Sequence, residues 1–483
     1  MWAALILLVF IYLLYNNIRR PKFYPPGPNF WPIIGNLLSA RKTSTNTRNH
    51  ESIWQEWSRK YGEIVGLKFG FVNVVIVSGK ERIREVASRE VFDGRPSGFF
   101  YRMRSFGKRN LGIVFSEGKN WQITQKSLLK YLKTFGFGKQ RMEELIGNEC
   151  QNVIRIISNN INKPIIGNDF FNVAITNVMW RLMAGKRYEL NDPNLKMLCD
   201  MIKEIFAATD MSGGVINFLP ILCYIIPNYI GYSNLVNIHH KIYEFISVSI
   251  YNSIFLDFAR TLINELNKFL CETIKYTEEN IKVICLDMLE AGMETVGNTL
   301  DFLILYLILH DDVQQRVHDE IDNVIGTTRL PNLNDRIRMK YTEAVIMESL
   351  RLSSVAPIGI PHSATEDAQL GEYIIPKGTI VMLSLYDLHN NDEWENPRVF
   401  HPERFLNNNR GFIRNDNFIP FGLGKRRCIG ENLARSELFL FTTYILQKYK
   451  IVIPDEEPRP SIEAVPGISL SAKPFKILFK ERI

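Results

Sequence analysis

Cysteine is scarce in this 483-residue chain, and no two cysteines are close enough to form a CxxC pair. Zinc sites and dithiol redox sites built on such pairs are therefore excluded. The six cysteines are Cys150, Cys199, Cys223, Cys271, Cys285 and Cys428. If Cys428 has a function of its own, an odd number remains, which favours a reducing compartment over a disulfide framework.

Blocks of one charge, flexible linkers and internal repeats are also absent from the sequence. The formal net charge of +7 is spread along the chain, so we expect no nucleic-acid partner. Hydrophobic residues make up 46% of the chain, which is enough for a large core. No Gly/Ser-rich or low-complexity segment divides the remainder, and we therefore predict one large catalytic domain, residues 37–483.

The longest uncharged run is at the N-terminus. Residues Trp2 to Tyr15 carry no charge and would form a helix about 21 Å long. That is shorter than the roughly 30 Å hydrocarbon core unless the next residues and tilt contribute. A cleaved signal peptide would need positive charge before the run and small residues at a cleavage site, and neither is present. Because Arg19, Arg20 and Lys22 follow the run, we predict an uncleaved anchor over residues 1–18, with the remainder cytoplasmic.

The segment after the anchor is rich in proline and reads PKFYPPGPNFWPIIGNL. Its prolines exclude a helix and predict a stiff, extended connector over residues 19–36. Further on, residues 66–78 indicate a hairpin and residues 371–384 indicate strand, turn and strand. Helical periodicity dominates residues 120–310, with loops at 184–192 and 211–220. The predicted helices that we delimit are 280–309, long enough to cross the molecule, 311–325 and 339–353. The fold class is therefore mainly α with small β-sheets.

Four motifs carry the chemistry. FIPFGLGKRRCIGENLARSELF, residues 418–439, contains Cys428 in the spacing FxxGxRxCxG. The others are AGMET (291–295), ESLR (348–351) and PERF (402–405). Together and in this order they resemble the cytochrome P450 superfamily, the haem-thiolate monooxygenases, in its microsomal animal branch. The resemblance runs from the connector nearly to the last residue, and it implies a triangular helical prism around a buried haem b.

Cys428 matches the axial iron ligand of that family. Positive neighbours favour its thiolate form, and a thiolate ligand promotes O–O cleavage at a haem iron. Gly424 and Gly430 would permit close backbone approach, and Phe421 would keep water from the sulfur. The alternative is a buried cysteine in a basic turn.

The resemblance also implies the residues that hold the haem propionates. Arg426 suits charge-assisted pairing with a carboxylate, and the other matching positions are Arg95, Trp121 and His362. The stretch WQITQK departs from the family pattern, because Gln125 stands where arginine is usual. Glutamine donates a hydrogen bond but carries no charge, so haem retention would be weaker unless Lys126 substitutes.

Glu294 and Thr295 match the acid–alcohol pair of the long helix. Ala291, which would contact the haem, and Gly292 are small enough to open a groove in that helix. Thr295 would hold a water or the oxygen being activated, and Glu294 would relay protons. The alternative is a threonine that bonds back to its own helix.

Glu290 stands one step earlier, where a small residue is usual. It lies four residues before Glu294, so the two repel if both are charged. Three alternatives are open for Glu290. It pairs with a cationic side chain, its pKa is raised near the pocket, or it lies at a solvent-facing edge of the helix. We expect the solvent-facing edge.

Glu348 and Arg351 are neighbours on one helix face. By resemblance they are buried and joined by Arg404 as a structural lock behind the haem, so we assign them to folding.

The remaining matches concern the substrate. The expected contacts are Val114, Phe115, Ala356, Ile360 and Ile468, all apolar as a lipophilic ligand requires. The implied reaction inserts one oxygen atom of O2, by hydroxylation or epoxidation, into a terpenoid or steroid hormone precursor or a xenobiotic. Two alternatives are a haem-thiolate isomerase or dehydratase acting on a peroxide, and a non-enzymatic haem sensor. The intact Glu294–Thr295 pair argues against the first, and the lack of a visible output domain argues against the second.

The family's partners and location complete the expectation. Electrons would come from NADPH through a reductase at the endoplasmic reticulum membrane. An acidic flavin domain would dock on basic residues of the thiolate side. These residues are Lys126, Lys130, Lys133, Lys139, Lys425 and Arg427.

Overall fold

The structure is a computed structural model of the chain, and it describes residues 2, 15, 17–40, 50–134, 140–251, 277–407 and 411–482. The predicted anchor lies almost entirely outside these residues, as do Lys139 and Cys271. Among the described residues, one helix is long and apolar enough to cross a membrane, Glu278–Leu309. Its most apolar window is 78% buried inside the protein, so it is a core helix.

Helices make up most of the described chain. They are α1 (His50–Tyr61), α2 (Lys80–Ser88), α3 (Phe99–Met103), α4 (Gly118–Thr134), α5 (Gln140–Ser158), α6 (Asn172–Ala184), α7 (Pro193–Ala208), α8 (Gly214–Phe218), α9 (Leu222–Ile225), α10 (Tyr232–Tyr251), α11 (Glu278–Leu309), α12 (Asp311–Val324), α13 (Lys340–Ser353), α14 (Leu385–Asn390) and α15 (Glu431–Lys448). Short 3₁₀ turns lie at Glu90–Phe92, Leu333–Ile337, Pro402–Phe405 and Gly424–Arg426. The three delimited helix predictions match α11, α12 and α13 to within two residues, whereas the expected loop at 211–220 contains α8.

The strands of the described residues are short and form four small sheets. They are β1 (Ile64–Phe69), β2 (Val72–Val77), β3 (Ile165–Ile166), β4 (His362–Ser363), β5 (Ala368–Leu370), β6 (Tyr373–Ile375), β7 (Ile380–Leu383), β8 (Tyr449–Val452), β9 (Ala464–Val465), β10 (Ser471–Ala472) and β11 (Lys476–Glu481). The sheet orders are β1-β2-β7-β4, β3-β11-β8, β10-β9 and β5-β6. β1 and β2 form the predicted hairpin, with Ile64 opposite Val77.

The strand, turn and strand predicted over residues 371–384 are present, and the two strands pair with different partners. Residues 371–384 contain β6 and β7, but β6 pairs with β5, and β7 pairs with β2 in parallel and with β4. The register places Val74 opposite Ile380. Two adjacent strands therefore belong to different sheets, because the two edges of β7 are taken by more distant segments.

The proline-rich connector packs against the β1–β2 hairpin. The Arg20 guanidinium donates to the carbonyl oxygens of Gly66, Gly27 and Pro28, each at 3.0 Å. The Tyr24 hydroxyl donates to the Val74 carbonyl at 2.8 Å. A Cβ at Gly27 would lie 2.2 Å from the Gly66 oxygen, so only glycine fits there. These contacts fix the direction in which the chain leaves the hairpin toward its N-terminus.

The long helix α11 is the centre of the molecule. Its residues are buried along almost its whole length, and it packs against α6, α13 and α15. The approach to α6 is close, because a Cβ at Gly297 would lie 2.1 Å from Asn172 Oδ1. A Cβ at Gly292 would likewise lie 3.0 Å from the Met179 side chain. The glycines of α11 thus serve helix packing and place Ala291 and Thr295 at mid-molecule.

Candidate active site

The loop around Cys428 is shaped by its own backbone. The Cys428 N–H donates to the Phe421 carbonyl at 2.9 Å, and α15 begins three residues after the cysteine. Gly424 has φ +69°, and a Cβ there would lie 1.9 Å from the Ala87 carbonyl oxygen. The close approach expected at the glycines therefore occurs at Gly424, against α2. A Cβ at Gly430 would make only an ordinary contact with the sulfur, at 3.8 Å.

Cys428 is exposed, whereas the other described cysteines, Cys150, Cys199, Cys223 and Cys285, are buried. This distinguishes Cys428 from the buried cysteines, and its assignment as an iron ligand stays a prediction. Although the residue is exposed, desolvation by the loop raises the pKa of the free Cys428 thiol and outweighs the positive charge of Arg427, which lowers that pKa as expected. Arg427 is also engaged by Glu431 at 2.8 Å. The thiolate would therefore form on coordination to a metal, which deprotonates a bound thiol.

Three of the predicted propionate residues lie together. Arg426 Nη2 donates to the carbonyls of Asp93 and Ser116, at 2.6 and 3.0 Å, and its Cζ lies 3.8 Å from the centre of the Trp121 ring. The Arg95 guanidinium donates to the carbonyl oxygens of Val114, Ile360 and Pro361 at 2.9–3.1 Å.

Burial, and then the positive charge of Arg426, lower the pKa of Arg95 to about 9. Burial lowers the pKa of Arg426 to about 10. Two cations are therefore held close together by backbone carbonyls.

His362 joins this cluster from β4. One ring nitrogen, Nδ1, lies 2.8 Å from the Phe92 carbonyl. Burial lowers the pKa of His362 to about 3, with Arg95 and Arg426 acting in the same direction. The imidazole is therefore neutral at physiological pH, and it offers a hydrogen bond rather than a charge.

The hydrogen-bond donors of Arg95, Arg426 and His362 fit the two negatively charged propionates of a haem. Within the described residues neither guanidinium forms an ion pair with a carboxylate, and Arg426 Nη1 is buried without a hydrogen-bond partner. A buried, unpaired donor on a cation is costly unless an anion reaches it. Gln125, one helical turn after Trp121 on α4, is half-buried, and Lys126 is exposed.

The acid–alcohol pair lies at the middle of α11. The helix is continuous from Glu278 to Leu309, so the expected groove does not interrupt it. The Thr295 hydroxyl donates to the Ala291 carbonyl at 2.6 Å, which is the bond that the alternative predicted. Ala291 is exposed although its neighbours along the helix are largely buried. Ala291 and Thr295 thus share the face of α11 that is not covered by other helices.

Glu294 belongs to a buried polar network that the motif did not reveal. Asn298 Nδ2 donates both to Glu294 Oε2 and to Ser469 Oγ, each at 3.0 Å. The other carboxylate oxygen, Oε1, is buried without a hydrogen-bond partner in the described residues. Burial, and then the negative charge of Asp169, raise the pKa of Glu294 to about 7. A carboxyl that titrates near neutrality can take up and release a proton at working pH.

The predicted substrate contacts come from three separate parts of the chain. Val114, Phe115, Ala356, Ile360 and Ile468 are all half-buried. Val114, Phe115 and Ile468 pack against the main hydrophobic core. Half-buried apolar side chains from separate segments are typical of the wall of a lipophilic site.

Glu348, Arg351 and Arg404 form a buried ion-pair cluster. Glu348 Oε2 accepts from Arg351 Nε at 2.8 Å, and Glu348 Oε1 accepts from Arg404 Nε at 3.0 Å. Arg351 also donates to the His389 carbonyl at 2.6 Å. Glu348 and Arg351 are fully buried, the arrangement expected of a structural lock, and that role stays a prediction.

The expectation for Glu290 is wrong. Its side chain is 9% exposed and pairs with Arg104, so it lies inside the protein rather than at a solvent-facing edge. The cationic partner that was one of the alternatives is Arg104, 186 residues away in sequence. Arg104 and Asp287 were missed by sequence reasoning, because no motif marks them.

The basic residues of the thiolate side lie on two neighbouring elements. Lys126, Lys130 and Lys133 are exposed on α4, whose Trp121 contacts Arg426 of the cysteine loop. Lys425 and Arg427, in that loop, are also exposed, and they pair with Glu90 and Glu431.

Comparison with known proteins decides the family. The family model for cytochrome P450 matches residues 25–479. The chain belongs to the cytochrome P450 family.

This P450 is 50% identical to the farnesoate epoxidase of Bombyx mori, over 99% of this chain and 98% of the relative. It is 33% identical to the probable cytochrome P450 303a1 of Drosophila melanogaster, with 97% of each chain covered. It is 32% identical to cytochrome P450 2D4 of Rattus norvegicus, over 99% of this chain and 97% of the relative. The prediction of a haem-thiolate monooxygenase with a P450 fold is thereby confirmed.

The P450 family uses haem, O2, a redox partner and a lipophilic substrate, and these apply to this enzyme. The residues that serve each of them here, the membrane anchor and the division into anchor, connector and domain stay predictions.

Proposed function

We propose that this P450 inserts an oxygen atom, by epoxidation, into a terpenoid hormone precursor of the farnesoate type. The observation that carries the proposal is the 50% identity with the farnesoate epoxidase of Bombyx mori along nearly the whole of both chains. The half-buried apolar set around Phe115 and Ile360 supports a lipophilic substrate. Vertebrate relatives at about the same length are only 30–32% identical, which makes a general xenobiotic role the weaker choice.

In this proposal each group of residues has a separate task. Cys428 would provide a thiolate to the haem iron, and haem held in this way would supply the chemistry of O–O cleavage. Arg95, Arg426, Trp121 and neutral His362 hold the propionates, with Gln125 as an uncharged fifth donor. The apolar wall orients the substrate's double bond and excludes water.

The acid–alcohol pair controls protons. Thr295 can turn its hydroxyl from the Ala291 carbonyl toward the uncovered face of α11 and donate a hydrogen bond there. Glu294, with a pKa of about 7, takes protons from the Asn298–Ser469 side and returns them toward Thr295. A relay of this kind requires a group that is partly protonated at working pH, and Glu294 meets that condition.

We further propose that the electrons come from NADPH through a flavoprotein reductase at the endoplasmic reticulum. Residues 1–18 would anchor the chain in that membrane, and the docked connector would orient the catalytic domain. The exposed lysines of α4, with Lys425 and Arg427, would steer an acidic reductase domain, mainly through the association rate.

The test uses the full chain with a reductase and NADPH. Farnesoate and its methyl ester are supplied under ¹⁸O₂, and products are analysed by mass spectrometry. We expect an epoxide that carries one ¹⁸O atom, with no product from Cys428→Ser protein. Product that forms without O2 or NADPH would favour peroxide rearrangement instead. If both terpenoids remain unchanged while 7-ethoxycoumarin is oxidised, the substrate proposal is wrong and the monooxygenase activity stands.

A further inference from the structure

We propose that Glu290 is a positioning residue of this P450. By holding Arg104 it fixes the segment 104–116, and so it controls how a ligand is retained next to the haem. This inference does not depend on farnesoate as the substrate. It uses the odd glutamate of α11, to which the proposed reaction gives no task.

Arg104 is held by two carboxylates of α11. Its Nη1 donates to Asp287 Oδ1 at 2.5 Å, and its Nη2 donates to Glu290 Oε2. All three side chains are less than a tenth exposed. Removal of one partner from such a buried pair leaves an uncompensated charge, which costs far more than the loss of a surface pair.

One of these two acids, Asp287, also anchors the backbone of the segment. Asp287 Oδ2 accepts from the N–H groups of Ile113 and Val114, at 2.6 and 3.0 Å. Gly112 has φ +73°, and a Cβ there would lie 2.3 Å from Asp287 Oδ2. Asp287 therefore has both oxygens engaged, and Glu290 is the second carboxylate available to neutralise Arg104.

Aromatic contacts connect Arg104 to Phe115, one of the predicted substrate contacts. The Arg104 Cζ lies 5.4 Å from the centre of the Phe115 ring, and the Phe115 ring lies 4.9 Å from that of Tyr101. The hydroxyl of Tyr243, on α10, donates to the Arg104 carbonyl. Phe106 stacks on Tyr243 at 4.4 Å. Arg104 thus joins the segment to both α10 and α11.

The segment also reaches the residues proposed to hold the haem. The Val114 carbonyl accepts from Arg95, and the Ser116 carbonyl accepts from Arg426. Movement of the segment would therefore change both the site wall and the carbonyls that aim these guanidiniums. Phe115 therefore lies between two sets of contacts. On one side its ring faces Arg104, which Glu290 holds, and on the other side the backbone carbonyls of its neighbours bind Arg95 and Arg426.

The second carboxylate oxygen of Glu290, Oε1, accepts no hydrogen bond from the described residues. Glu290 Oε1 and His239 Nε2 are 3.7 Å apart, and both are buried without a hydrogen-bond partner among the described residues. Burial lowers the pKa of His239 to about 4, so this histidine is neutral and does not compete for the carboxylate. Burial raises the pKa of Glu290 and the contact with Arg104 lowers it, so this ion pair offsets part of the cost of burying the carboxylate.

The experiment compares Glu290→Gln with wild type and with Glu343→Gln, both in the haem-loaded full chain. Glu343 is the matched control, since it is a buried glutamate paired with Arg336, at 2.8 Å, on α13. We expect amide hydrogen exchange of residues 104–116 to become about tenfold faster in Glu290→Gln, the effect of one buried charge-assisted bond. Dissociation of 4-phenylimidazole, followed by its Soret difference spectrum, should accelerate by a similar factor. In Glu343→Gln both rates should stay within about twofold of wild type.

Equal effects of the two substitutions, or unchanged exchange in residues 104–116 of Glu290→Gln, would overturn the proposal and leave Glu290 as an ordinary buried residue. If Glu290→Gln fails to fold, Arg104→Lys provides the same test. Lysine keeps the charge but cannot span both carboxylates with a planar fork. The segment should then exchange faster than in wild type, and unchanged exchange in Arg104→Lys would equally refute the inference.

Discussion

Glu294 is expected to make the stability of this P450 fall as pH rises through neutrality. Burial raises the pKa of Glu294 from 4.5 to about 7, so the folded protein holds this proton more tightly than the unfolded chain does. The stabilising effect of the proton is fully present below pH 4.5 and is lost as pH rises through about 7. Complete loss corresponds to about 3 kcal/mol, most of which falls between pH 5 and pH 8.

The substitution Glu294→Gln removes this titration and keeps the size of the side chain. The free energy of unfolding of wild type minus that of the variant should therefore fall by about 2–3 kcal/mol from pH 5 to pH 8. Urea unfolding at several pH values, followed by far-UV circular dichroism at equal haem content, measures this difference. Groups that titrate equally in both proteins cancel in the comparison.

The variant Asn298→Ala provides a second test of the Glu294 titration. Asn298 donates to Glu294 Oε2, and this hydrogen bond lowers the pKa of the carboxyl. Without it the transition should move to higher pH. A difference between wild type and Glu294→Gln that is independent of pH, or that grows as pH rises, would refute the reasoning.

Three further predictions concern oxygen use, haem retention and electron delivery. In Thr295→Ala, NADPH consumption should continue with more of the flux released as peroxide, and equal product per NADPH would contradict the assignment. Gln125→Arg should slow haem transfer to apomyoglobin about tenfold, since it turns a neutral donor into a charged one. If Lys126 already reaches the propionate, Lys126→Ala should speed haem loss instead, and no change in either variant would mean that the other residues suffice. Lys126→Glu, Lys133→Glu and added salt should each slow reduction of the iron by reductase, and unchanged rates would remove the proposed docking surface.

Short motifs predicted the elements of the site because the residues that act together there are close in sequence. FxxGxRxCxG specifies a tight loop before a helix, and the structure has that loop, with Gly424 at positive φ. The apolar stretch before Leu309 likewise predicted α11 to within two residues, because burial on all sides leaves a long uninterrupted pattern.

Contacts between distant segments were not predictable from the sequence. Arg104 and Asp287 are 183 residues apart, and nothing in either neighbourhood marks the other. β7 pairs with β2 across about three hundred residues, so the sequence predicted β6 and β7 as strands but not the partner that each one takes. The environment of Cys428 was only partly predictable, since its basic neighbours are visible in the sequence whereas the desolvation that outweighs them in the free thiol is not.

The assignment of Cys428 as the axial ligand is the central claim, and the carbon monoxide spectrum of the reduced protein tests it most directly. Wild type should give the strongly red-shifted Soret band of a thiolate-bound carbonyl complex. Cys428→His should retain haem through Arg95, Arg426 and Trp121 but lose that band. A Cys428→His or Cys428→Ser protein that keeps the red-shifted band would contradict the account.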